Sequence, residues 1–167
     1  MNNHFYDQTF GRHSDSDRIF LLTEGGDIRF DAFAAQSAQL ANALVAAGLS
    51  AGDRVAVQAE KSASLLALCA ATMRAGGVYL PLNTGYTPVE LDYFICDARP
   101  AIIIADPPAT ADIQPLADKI GATLFTLDEH GNGSLGAAAA DAPKVFETVA
   151  RGPDDLAAIL YTSGTTG

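Results

Sequence analysis

The chain has 167 residues, 49% hydrophobic and 18% charged, which suits one well-buried core within the ordinary globular range. Ten Lys and Arg against 20 Asp and Glu give a formal charge of -10, which disfavours nonspecific attraction to nucleic acid or to an anionic membrane face. The opening MNNHFYDQTFGRHSDSD lacks the basic flank and apolar stretch of a secretory signal, and no run approaches the roughly 18 apolar residues of a membrane span, so a cytoplasmic protein is expected.

Arg18 to Thr23, a Gly-containing turn at Glu24 to Asp27, and Ile28 to Phe30 predict a small hairpin. Asp31 has N-cap chemistry for a helix whose Phe33, Ser37, Leu40, Ala41, Leu44 and Val45 recur at three- and four-residue spacing, with Gly48 as a natural stop. Arg54 to Gln58 is a short β-branched run. Ser62 to Ala75 follows as a helix apolar nearly all round, hence buried, and Gly76-Gly77 ends it. Within it Cys69 lies among apolar residues, while Cys96 lies off the main stripe of a later helix. With no CxxC spacing, both are expected as idle thiols rather than a disulfide or a nucleophile. His4, His13 and His130 lack the i, i+4 spacing of paired ligands, so no metal site is expected from them.

Val78 to Leu82 resumes the strand pattern, and Pro81 belongs near that strand's end or at an edge because it cannot donate to a ladder. Thr87-Pro88-Val89-Glu90 is a helix-start signature, after which Leu91, Phe94, Ile95 and Ala98 line one face. Ala101 to Ala105 predicts a fully buried strand. A helix near Ile113 to Ile120 with Pro115 in its first turn, a strand at Thr123 to Leu127 and a loop from Asp128 to Gly133 come next. Ser134 to Ala140 is expected as a short helix, Val145 to Val149 as a short strand within a connection, and Leu156 to Tyr161 as another buried strand. Asp154 and Asp155, at its entry, read as turn or solubility residues rather than a catalytic pair.

Strand and helix alternate from Arg54 onward, the pattern of an α/β fold with a parallel sheet covered on both faces. In such sheets ligands bind along the edge formed by the strand C-termini, so chemistry is expected in the loops after Gln58, Leu82, Ala105 and Tyr161. The last of these is Thr162-Ser163-Gly164-Thr165-Thr166-Gly167, four hydroxyls and two glycines that can converge on phosphate oxygens. It lacks the G-x-x-x-x-G-K-[ST] spacing of a Walker loop, and on composition alone it reads as a flexible linker. Its place directly after a parallel strand at the ligand edge favours an anion cradle.

AAILYTSGTTG resembles the phosphate-loop signature of the acyl-adenylate-forming superfamily, which holds acyl-CoA synthetases, peptide-synthetase adenylation domains and luciferases. MRAGGVYLPLNTGYTPVELDYFICDARPAIIIAD is similar to that family's second landmark and IRFDAFAAQSAQLANALVAAGLSAGDRVAVQ to its first, so the likeness covers nearly the whole chain in order. Asn83-Thr84 stands where many members have an aspartate-proline pair, and this variant looks most like the malonyl-CoA synthetase branch, with malonate, methylmalonate or another short acid as substrate.

The resemblance implies activation of a carboxylate by ATP to an acyl-adenylate, then transfer to CoA, with Mg2+ assisting. Thr162, Ser163, Thr165 and Thr166 would hydrogen-bond the β- and γ-phosphates, and Gly164 and Gly167 would let the backbone come close. It also implies that residues 1 to 167 form an incomplete N-terminal part of the large adenylation domain, with the rest of that domain and a C-terminal lid absent. The family's later proline-lysine-glycine, magnesium ligand, ribose-gripping aspartate and lid lysine have no counterpart here, so no catalytic residue and no metal ligand is assigned, and the isolated chain is expected to be inactive. The residues leave open a stand-alone nucleotide- or phosphate-binding module, or a piece that self-associates through an open sheet edge.

Overall fold

The computed structural model describes residues 3–162; Ser163, Gly164, Thr165, Thr166 and Gly167, expected to bind phosphate, lie outside them. Ile19–Leu21 (β1) and Ile28–Arg29 (β2) pair antiparallel as the expected hairpin. Arg54–Gln58 (β3), Val78–Pro81 (β4), Ile102–Ala105 (β5) and Thr123–Thr126 (β6) form a wholly parallel sheet in the order β4-β3-β5-β6. The two-residue side-chain period divides these strands between two cores. Val55, Val57, Ile102 and Ile104 point to one face, and Ala56, Leu80, Ile103 and Ala105 to the other, all of them at most 2% exposed.

Helices cover both faces. Phe30–Ala46 (α2), following His4–Thr9 (α1), packs on Ala63–Arg74 (α3) over the first face, while Pro88–Ala98 (α4) and Thr110–Ile120 (α5) bury Leu91, Ile95, Ile113 and Ala117 over the second. Ser134–Ala140 (α6) packs against α2. The starts of α3 and α4 have local causes. The Ser62 hydroxyl accepts from the Leu65 N–H at 3.1 Å, and Thr87 and Glu90 form a complete capping box with Pro88 at the first helical position. The N-terminal segment is tied down by Asn3, only 2% exposed, whose amide donates to the carbonyls of Met73 and Val149 at 2.8 and 3.0 Å and accepts from the Tyr6 N–H. Among the described residues no helix is long and apolar enough to cross a membrane.

Five sequence expectations require correction. Asp31 does not cap α2: β2 runs straight into the helix, Arg29 holds the cap position, and the Asp31 carboxylate turns back to the Arg29 guanidinium. Val45 is 43% exposed, because the buried stripe of α2 turns through Leu40, Ala41 and Leu44 and leaves Val45 on its outer flank. Pro115 sits inside α5 rather than in its first turn, since a 3-10 turn at Pro107–Ala109 nucleates the helix earlier, at Thr110. Val145 to Val149 forms no strand: its carbonyls and amide are claimed by Asn42, by the Arg74 guanidinium and by the Arg74 carbonyl.

Leu156 to Tyr161 is likewise not a buried strand. It lies parallel to the outer side of β4 and meets it at one bridge, Tyr79 to Ala158, where the Tyr79 N–H donates to the Ala157 carbonyl and the Ile159 N–H to the Tyr79 carbonyl. Among the described residues no further strand flanks it, so Leu156 and Leu160 remain 61% and 70% exposed. Pro81 fits its expected place, closing β4.

Candidate functional site

The C-terminal ends of β3 and β4 open onto a cavity of about 610 Å3. Its walls are apolar at Val57, Leu65, Tyr79 and Leu82 and polar at Glu60, Lys61, Asn83 and Thr84. These loops are ordered by the sheet below them. The Leu82 N–H donates to the Val57 carbonyl at 2.8 Å, and the Gln58 amide, 6% exposed, reaches across to the Asn83 carbonyl at 3.1 Å. Asn83 then folds its own loop as an Asx turn, its side-chain oxygen accepting from the Gly85 N–H at 2.9 Å.

Lys61 is the one lysine or arginine in the loops that follow β3, β4, β5 and β6. Acids dominate the rest of that edge. Glu60, Asp106, Asp128 and Glu129 surround a neighbouring opening of about 410 Å3, and the Asp106 carboxyl is raised above its ordinary value by burial and by the charges of Glu60, Asp128 and Glu129, against the opposing hydrogen bond from the Glu60 N–H. No group of three His, Cys, Asp or Glu among the described residues is arranged to hold a metal ion.

Of the expected phosphate-binding residues, Thr162 is described, and it is exposed at the end of the segment lying along β4. Counted from the Tyr79 to Ala158 bridge, Asn83 lies four residues on in the chain after β4 and Thr162 four residues on in the segment beside it. Sequence reasoning missed what fixes the end of the segment beside β4. The Tyr161 ring lies on Phe94 with centroids 4.3 Å apart, its hydroxyl donates to Asp97 Oδ2 at 2.5 Å, and Phe94 in turn packs on Tyr86 at 4.8 Å. Burial and the Asp97 carboxylate push the Tyr161 phenol up to about 12, so it stays a protonated donor near neutrality. Phe94 was legible as part of the apolar face of α4, but periodicity gave it no partner in Tyr161.

A parallel sheet clothed by helices on both faces, with a cavity at the C-terminal ends of β3 and β4, defines a doubly wound α/β domain. Residues 8–167 match the family model described as AMP-binding enzyme, and the chain belongs to that family. It is 36% identical over 154 residues to vanchrobactin synthetase VabF of Vibrio anguillarum, covering 90% of this chain and 5% of that protein. It is 31% identical over 150 residues to novobiocin biosynthesis protein H of Streptomyces niveus, covering 88% and 24%. Among solved structures, ATP-bound MatB from Rhodopseudomonas palustris superposes with a TM-score of 0.94 at 52% identity, over 100% of this chain and 33% of that one. The chain thus spans a third or less of the length of these relatives.

Proposed function

We propose that this chain is the N-terminal part of the large domain of an AMP-forming acid–CoA ligase, which activates a short carboxylic acid, malonate or methylmalonate, to an acyl-adenylate and passes it to CoA in the cytoplasm. The observation that carries this reading is the 52% identity to ATP-bound MatB over the whole chain, including the signature running through Tyr161 and Thr162. A carboxylate is a poor acyl donor until one oxygen joins a good leaving group. The first step therefore needs support for a pentavalent phosphorus and a departing pyrophosphate.

Thr162, Ser163, Thr165 and Thr166 supply that support as hydroxyl donors to the β- and γ-phosphates, and Gly164 and Gly167 admit the backbone to the same oxygens. Mg2+, when bound, neutralises phosphate charge; its ligands are expected in the remainder of the protein, as no suitable group lies among the described residues. The open cavity beside Asn83 and Thr84 faces the same edge and gives the substrates a common approach.

The test is ATP–pyrophosphate exchange driven by malonate and by methylmalonate, using the protein encoded by the complete reading frame. Exchange is expected, and Thr165→Ala or Thr166→Ala is expected to lower it by about 100- to 1,000-fold, the range for losing one donor to a developing oxyanion. Tight ATP binding with no exchange under any short acid would overturn the ligase reading in favour of a binding module. The 167-residue chain alone is expected to show no exchange, because the ribose- and metal-binding groups of the family would be missing.

A further inference from the structure

We infer that Tyr161 is a positioning residue: clamped on α4, it sets where the phosphate loop leaves the sheet and couples that loop to the Asn83 to Tyr86 loop. The inference rests on the ATP-binding reading of residues 162 to 167. Backbone pairing alone cannot place the loop. The last ladder hydrogen bond joins the Ile159 N–H to the Tyr79 carbonyl at 3.0 Å, and among the described residues no backbone hydrogen bond is made by Leu160, Tyr161 or Thr162.

What holds this stretch is the Tyr161 side chain, which is fixed at both ends. Its ring rests on Phe94 and its hydroxyl reaches Asp97 Oδ2, two residues one turn apart on α4. Leu160, just before it, is 70% exposed and anchors nothing. Phe94 also carries Tyr86, which lines the 610 Å3 cavity, and the Thr87 to Glu90 capping box fixes the start of the same helix. One helix thus bears both loops, and a shift of Tyr161 on Phe94 displaces the root of the phosphate loop relative to the cavity.

Two measurements decide this. In the complete protein, Tyr161→Phe keeps the ring contact and removes the hydrogen bond to Asp97. It is expected to raise KM for ATP about 3- to 10-fold, with KM for the acid and for the thiol within about twofold and the melting temperature unchanged. Phe94→Ala is expected to act in the same direction. An unchanged KM for ATP in both variants, or an equal loss for all three substrates, would overturn the inference, the latter marking a general folding defect.

The second measurement is independent of catalysis. In the 167-residue chain, amide resonances of Thr162 and of Gly85 and Tyr86 are expected to shift together in Tyr161→Ala while those of β5 hold still; unmoved Gly85 and Tyr86 signals would refute the coupling. A wild-type protein that shows no exchange overturns the ligase reading and the phosphate role, and this second measurement still decides whether the clamp exists.

Discussion

Thr87 and Glu90 show how much one turn of helix depends on two side chains. The Glu90 carboxylate accepts from the Thr87 N–H and hydroxyl, both at 2.8 Å, while the Thr87 hydroxyl accepts from the Glu90 N–H. These bonds favour the ionised form, the backbone N–H of Thr87 most, so the carboxyl of Glu90 is held below its usual value. A carboxyl depressed in the folded state adds stability above its unfolded pKa and loses that contribution as pH falls through the folded value. Glu90→Gln keeps an acceptor without the titration. Melting temperature is therefore expected to fall less steeply for this variant than for the wild type between about pH 5 and pH 3, the carboxylate range. Thr87→Ala is expected to cost about 1 kcal/mol near neutral pH, read from urea unfolding. Cys69 offers the opposite case. Burial pushes its thiol up to about 11, so alkylation by iodoacetamide near pH 8 is expected to be on the order of 100-fold slower than for a free cysteine, and to recover when urea unfolds the chain.

At the scale of elements, the turn from α3 into β4 depends on a backbone conformation more than on a contact. Gly76 has φ +80, and a Cβ there would come within 2.7 Å of Val149 Cγ1. Gly48 ends α2 with φ +97 and open space around it. Gly76→Ala is expected to destabilise by about 1–3 kcal/mol in chemical denaturation and Gly48→Ala by less, the difference measuring the clash with Val149. Both glycines were legible in the sequence as helix stops, as were the bounds of β3, the Thr87 start of α4 and the short α6, because each follows from a local rule of capping or period. What escaped was set by distant partners. Residues 145 to 149 have the composition of a strand, yet Arg74 and Asn42 claim their polar groups from helices more than 70 residues away in the chain. Leu156 to Tyr161 has a buried strand's composition and pairs only at Tyr79, since burial on both faces needs neighbours that composition cannot supply. The candidate site divides in the same way. The Thr- and Gly-rich loop was proposed from its chemistry alone and lies, beyond Thr162, outside the described residues, whereas the contacts of Tyr161 with Phe94 and Asp97 join residues 64 or more apart and have no periodic signature.

For the molecule as a whole, the strand order distributes stability unevenly. β3 and β5 lie inside the sheet, bonded on both sides and buried on both faces, with Val55, Ala56, Ile103 and Ile104 at 0% exposure. β6 is an edge whose strand residues are half-buried or exposed, and β4 is bordered on its outer side only at Tyr79. Local opening follows buried contacts and paired amides, so native-state hydrogen exchange in the 167-residue chain is expected to be slowest for the amides of Ala56, Val57, Ile103 and Ile104, close to the free energy of global unfolding. Exchange at Leu160 and Tyr161 is expected to approach that of an unprotected chain, with Ile159 intermediate because its N–H alone reaches β4. The same gradient leaves Leu160 and Tyr161, just before the proposed ligand loop, among the least protected of the described residues. Loops that bind and release substrates are drawn from weakly protected parts of a fold, where opening is cheap, while the rigid β3 holds the Val57 wall of the cavity in place. Protection at Tyr161 equal to that at Ile103 would contradict this distribution and would mean that the segment is held by a cooperative core contact beyond its clamp on α4.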